Sequence, residues 1–172
     1  EEILKAGADC ITLGDHAFDQ KDMLQFIETE PRIIRPLNFS KSAPGRGAAI
    51  FTATRGRKVL VAQVLGQVFM KRPFDDPFSA VDAILSKHPL GGQVAATVLA
   101  MHCESTSENM AMSHFCDVKA SLFVGSHTPV PPSDPPIRSA PHTSALPSHL
   151  FTSSAVFCFY PPTPPPSPPS PP

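Results

Sequence analysis

The sequence predicts an α/β domain over residues 1–128, and three observations carry that expectation. Short apolar runs of strand length alternate with runs of helical period. Glycine and proline punctuate the joints between them. Three histidines, His16, His102 and His127, each come directly after an expected strand. Residues 129–172 are different material: 16 of the chain's 22 prolines lie there, with one acid (Asp134) and one base (Arg138). The expected organisation is therefore one domain over 1–128 and a disordered, proline-rich, low-complexity tail over 129–172.

Each element follows from local signals. Residues 1–7 read as the last turns of a helix closed by Gly7. Asp9-Cys10-Ile11-Thr12-Leu13 is a short buried strand, with Gly14-Asp15-His16 as a tight loop at its carboxyl end. Asp19 is placed to cap a helix carrying Met23, Leu24, Phe26 and Ile27 at helical spacing, ended before Pro31. Ile33-Ile34 is a second strand, stopped by Pro36 and Asn38. Residues 48–54 and 58–64 alternate as a hairpin around Arg55-Gly56-Arg57. Asp76-Pro77 marks a helix start, a capping carboxylate followed by proline at the first helical position, and the helix runs to about Lys87. A buried strand over 94–101, a short helix over 107–112 and a strand over 121–124 complete the domain. Beyond His127, proline forbids helix interior and central strand alike. One apolar island, Leu150 to Tyr160, interrupts that tail and reads either as a strand or as no element.

Composition excludes several classes. Net charge is −1 and no run of Lys or Arg occurs, so a nucleic-acid duplex finds no phosphate-neutralising surface. The cations at Arg55, Arg57 and Lys58 fit a solvated turn. Four scattered cysteines (Cys10, Cys103, Cys116, Cys158) form no metal or disulfide framework and read as reduced thiols. Apolar stretches such as 59–65 are too short to span a bilayer, and the N-terminus carries no signal-peptide pattern. The expectation is a soluble cytoplasmic protein that starts inside a helix.

Ligands of open α/β folds collect at the carboxyl ends of strands, where His16, His102 and His127 fall. Imidazole and carboxylate are donors that manganese, iron and zinc accept. One histidine alone reads as an ordinary hydrogen-bonded residue; three in equivalent places bring the metal-ligand reading level with it.

At these residues the chain becomes recognisable. Gly14-Asp15-His16 resembles the Gly-Asn-His signature of calcineurin-like metallophosphoesterases. The run from Ala6 to Asp22 resembles one bacterial branch, the YmdB-like family of proposed cyclic-nucleotide phosphodiesterases. Arg35-Pro36-Leu37-Asn38-Phe39, Pro44-Gly45-Arg46-Gly47 and Asp75-Asp76-Pro77-Phe78 continue the likeness in order. So do His102-Cys103-Glu104-Ser105-Thr106-Ser107-Glu108 and Val124-Gly125-Ser126-His127-Thr128. The resemblance implies part of a metallophosphoesterase α/β/β/α sandwich. It implies that His16 protonates the leaving oxygen, and that Asp15, His102 and His127 bind metal. Asp15 stands where the family has asparagine, which adds a negative charge near an anionic substrate. Glu104 and Glu108 are expected to be structural or to support the ligands. The implied cofactor is a pair of divalent ions, manganese or iron with zinc as a further candidate, acting on a small phosphate ester such as a cyclic nucleotide.

Two departures bear on activity. The family's first strand, with a metal-binding aspartate, and its Gly-Glu-Asn segment have no counterpart here. Where the family has a second histidine two residues after the position of His127, this chain has Pro129. The change of composition there reads as a shift of reading frame or as a natural splice to an unrelated tail. The expectation is a fragment with little or no turnover. The alternative is a non-catalytic scaffold whose proline-rich tail recruits partners. An SH3-like partner is not expected, because the terminal PxxP matches lack a flanking Arg or Lys. Self-association is left open.

Overall fold

The structure, a computed structural model, describes residues 2–127 and the backbone of 154–157. Its helices are α1 (Glu2–Lys5), α2 (Lys21–Thr29), α3 (Pro77–Lys87) and α4 (Thr106–Phe115). Its strands are β1 (Cys10–Leu13), β2 (Ile33–Ile34), β3 (Ala48–Thr52), β4 (Lys58–Leu65), β5 (Ala96–His102), β6 (Leu122–Ser126) and β7 (Ser154–Phe157). Two sheets form, ordered β2-β1-β7 and β3-β4-β5-β6. β1 runs parallel to β2 and antiparallel to β7; β4, β5 and β6 are mutually parallel, and β3 closes the hairpin with β4.

The layers are those of an α/β/β/α sandwich. On β4 and β5, Leu60, Ala62, Val64, Leu99 and Met101 pack with Val81 and Leu85 of α3 and Met112 and Cys116 of the α4 end. Val59, Val61 and Val98 face the opposite way, onto Cys10 and Ile34 of the first sheet. The far side of that sheet, Ile11, Leu13 and Ile33, is covered by Leu4 and Ile27 of α1 and α2. With both faces covered, β4 buries seven of its eight residues, which is why it reads in the sequence as a continuous apolar run. Each fully buried Leu or Val contributes about 1.5–3 kcal/mol over its exposed state.

Local signals worked where they were strongest. The Asp76 carboxylate accepts from the Phe78 and Ser79 amides at 3.3 and 2.9 Å, and α3 ends at Lys87 as expected. Two readings are corrected. α4 is longer than the short helix expected, reaching Phe115. Asp19 caps nothing: α2 starts at Lys21, which makes Gln20 the cap residue, without a side-chain bond, and the Asp19 carboxylate meets His16 instead. On α2 only Ile27 is fully buried, while Leu24 is 41% exposed.

The quoted family-like segments turn out to hold loops in place. The buried Arg35 guanidinium donates to the carbonyls of Pro36, Ala43 and Pro44 at 2.8, 3.3 and 3.1 Å. Asn38 is also buried: its amide nitrogen donates to the carbonyls of Leu65 and Asp75, and its oxygen accepts from the Leu65 amide, all at 2.9 Å. At Gly125 a Cβ would run into the Asn109 side chain, so β6 approaches α4 as closely as it does because that residue is glycine.

The expected tail, 129–172, lies outside the described residues apart from the backbone of β7. There, part of the 150–160 island is a strand whose Phe157, Val156, Ala155 and Ser154 stand opposite Cys10, Ile11, Thr12 and Leu13.

Candidate active site

The site is assembled at the carboxyl ends of β1, β4, β5 and β6. Parallel strands end together, so residues distant in sequence converge in the loops beyond them. Gly14-Asp15-His16 leaves β1, Gly66 leaves β4, His102 is the last residue of β5, and Ser126-His127 closes β6.

His102 is fully buried, and both its nitrogens are engaged. Nε2 lies 3.0 Å from Asp15 Oδ1, across 87 residues of sequence, and Nδ1 lies 3.2 Å from Ser126 Oγ. Ser126 also donates to the Met101 carbonyl at 3.4 Å. Burial, reinforced by His127, pushes the His102 imidazole down to about 4, against the pull of Asp15. At neutral pH the ring is therefore uncharged, the form in which imidazole ligates metal. Nε2 and Asp15 Oδ1 are in hydrogen-bond contact, and both are donor atoms of the kind that a divalent ion accepts.

His16 is on the open side, its side chain 59% exposed. Its Nδ1 lies 2.6 Å from Asp19 Oδ2, and its Nε2 lies 3.6 Å from Asp15 Oδ2. The carboxylate at Nδ1 fixes the ring's rotation and leaves Nε2 as the nitrogen turned to the site. His127, with a left-handed φ of 73°, meets His102 ring against ring, centroids 4.5 Å apart at 33°.

The structure thus brings Asp15, His16 and His102 together, with His127 in ring contact. Among the described residues, no three His, Cys, Asp or Glu side chains form a group that could hold a metal ion. In type, Asp15 and His102 suit a divalent ion; in number they fall short. Cys10 belongs to the core: burial and Asp9 raise its thiol to about 12, so it is no nucleophile at neutral pH.

Glu108 supports the site from behind. Its buried carboxylate accepts from the backbone amides of Gln67 and Val68 at 2.8 and 3.2 Å. A Cβ on Gly66 would collide with Glu108 Oε2 and Cys103 Cβ, so glycine lets the carboxylate reach the loop. Glu104 is exposed. Sequence reasoning missed four residues: Asp19 as the partner of His16, Ser126 behind His102, and the loop residues Lys71 and Arg72 that share a cavity with Asp15 and His16. Ser126 sits inside a family-like run and could have been flagged. Residues 66–74 carry no period and no motif that would mark Lys71 and Arg72.

The model of the family described as YmdB-like protein matches residues 1–145. The chain belongs to the YmdB-like family. That match runs past residue 128, where the proline content suggested a boundary. The chain is 33% identical over 132 residues to a 2′,3′-cyclic-nucleotide 2′-phosphodiesterase of Bacillus subtilis, covering 77% of this chain and 48% of that protein. A putative phosphatase/phosphodiesterase of Mycoplasma genitalium is 33% identical over 140 residues, again covering 48% of its own length. A solved structure from Thermus thermophilus, described as a hypothetical protein, superposes with a TM-score of 0.68 at 38% identity, covering 77% of this chain and 50% of that one. A structure described as a novel phosphatase of Mycoplasma pneumoniae gives 0.69 at 27%, covering 80% and 49%. The chain spans about half the length of these YmdB-like relatives. Among the described residues, no helix is long and apolar enough to cross a membrane.

Proposed function

We propose that the chain carries part of a phosphoester-hydrolysing site of the YmdB-like type, acting on a small phosphate ester such as a cyclic nucleotide, with low turnover of its own. The observation that carries the reading is the 3.0 Å approach of Asp15 and His102 beside His16, at the carboxyl ends of strands from two different sheets. The kinship with phosphodiesterases and phosphatases supports the reaction class.

In this reading water attacks phosphorus and the bond from phosphorus to the leaving oxygen breaks. His16 supplies the proton that the leaving oxygen takes up, from Nε2, while Asp19 holds Nδ1 and fixes the ring's orientation. Asp15 and His102, with His127 beside them, are the residues that would hold a divalent ion, manganese or iron before zinc. Such an ion, when bound, polarises the phosphoryl oxygens and offsets their charge. Among the described residues few other donors surround that pair, which supports low turnover. The carboxylate of Asp15 adds to it by placing a second negative charge beside an anionic substrate.

The test is hydrolysis of bis-p-nitrophenyl phosphate and of a 2′,3′-cyclic nucleotide by the purified chain with manganese. The expected result is a rate close to background, whose remainder vanishes in His16→Ala and in His102→Ala. A high rate that survives both substitutions rejects the site. A high rate lost in both keeps the site and rejects the low turnover.

A further inference from the structure

The loop between β4 and α3 is pinned where it meets the site. Its first amides, at Gln67 and Val68, are held by Glu108. The Gln67 side chain reaches across it to donate to the Phe74 carbonyl at 2.8 Å, and the Asp75 amide donates to the Asn38 carbonyl at 3.0 Å. Phe74 stacks on Phe39 with ring centroids 5.1 Å apart. Between these anchors, Lys71 and Arg72 line a cavity of about 220 Å³ together with Asp15, His16 and Asp19.

Charge explains what the cavity lacks and what Arg72 offers. Two carboxylates, Asp15 and Asp19, face a space that an anionic ester would have to enter. The Arg72 guanidinium stands 3.8 Å from Asp19 Oδ1, while the other oxygen of the same carboxylate holds His16. An exposed ion pair at that distance is weak, so exchanging its acceptor for a phosphate costs little. Guanidinium and phosphate match in shape, two parallel N–H groups meeting two oxygens.

We propose that Arg72 is a substrate-binding residue that leaves Asp19 to take the non-bridging oxygens of the phosphate, while Asp19 stays on His16. This rests on the phosphoester reading above and names the residue that recognises the anion. Arg72 then has two acceptors within reach: Asp19 in the empty cavity and the phosphate in the filled one. Lys71 adds unspecific positive charge at the same mouth.

The experiment titrates the full chain with inorganic phosphate, following 31P line width and the His16 ring resonances. Wild type is expected to bind and to move the His16 signals. Arg72→Ala should weaken binding about tenfold, and Arg72→Lys should recover part of it, since a point charge replaces a two-pronged donor. The Arg72 side chain is 63% exposed, so thermal unfolding should confirm that the variants stay folded. If Arg72→Ala binds phosphate as wild type does while His16→Ala binds it less well, the inference is overturned and the phosphoester reading stands. If phosphate leaves the His16 signals of the wild-type chain unmoved, that reading falls and the inference falls with it.

Discussion

Replacing Glu108 by alanine separates a structural carboxylate from a catalytic one. Its side chain is 9% exposed as a residue and accepts two backbone hydrogen bonds, from Gln67 at 2.8 Å and from Val68 at 3.2 Å. Hydrogen bonds to a charged acceptor contribute about 1.5–3 kcal/mol each, and the longer one belongs at the bottom of that range. Alanine also leaves two amides without an acceptor in a partly buried place. The expected loss is therefore about 3–4.5 kcal/mol for Glu108→Ala. Glu108→Gln keeps one acceptor oxygen and should lose about 1 kcal/mol. Urea unfolding measures both values. Native-state hydrogen exchange then shows whether Gln67 and Val68 are the amides released, since their protection should fall more than that of β4. A loss under about 0.5 kcal/mol in Glu108→Ala, a size ordinary for an unlinked surface change, would refute the reasoning. So would unchanged exchange at both amides.

Further outcomes follow from the same geometry. Asn38→Ala removes three hydrogen bonds of 2.9 Å that tie the end of β4 to residue 75, and should destabilise by about 2–4 kcal/mol in the same unfolding assay. Gly125→Ala forces the new methyl into Asn109 and should lower stability by about 1–3 kcal/mol, with the double variant Gly125→Ala, Asn109→Ala recovering most of it. His102 makes the metal-free chain acid-sensitive. Its folded value of about 4 lies below the 6.5 of an unperturbed ring, so between those values the unfolded chain binds the extra proton. Its contribution is complete above pH 6.5 and is lost as pH falls towards 4, about 3 kcal/mol in all. In His102→Gln that slope of stability against pH should flatten; an unchanged slope would contradict the assignment.

The fold was legible where chemistry is local. Asp76-Pro77 set the start of α3, and continuous apolar runs marked β4 and β5 because both of their faces are covered. The expected strands placed Asp15, His16, His102 and His127 at their carboxyl ends, and the family-like segments implied what those residues do. What stayed hidden was non-local. Asp19 has the chemistry of a helix cap, and only the fold shows that the helix starts one residue later and that the carboxylate meets His16. Nothing near residue 154 announces a partner at residue 13, since that pairing joins segments about 140 residues apart. Glu108 was read as structural; its task, holding the loop that carries Arg72, is visible only in three dimensions.

If Asp15 and His102 hold a divalent ion as proposed, the chain binds manganese through them. Calorimetric titration of the chain with manganese tests it most directly. One weak equivalent is predicted, abolished by His102→Ala and diminished by Asp15→Ala. Two tight equivalents, or one that is indifferent to His102→Ala, would contradict the account.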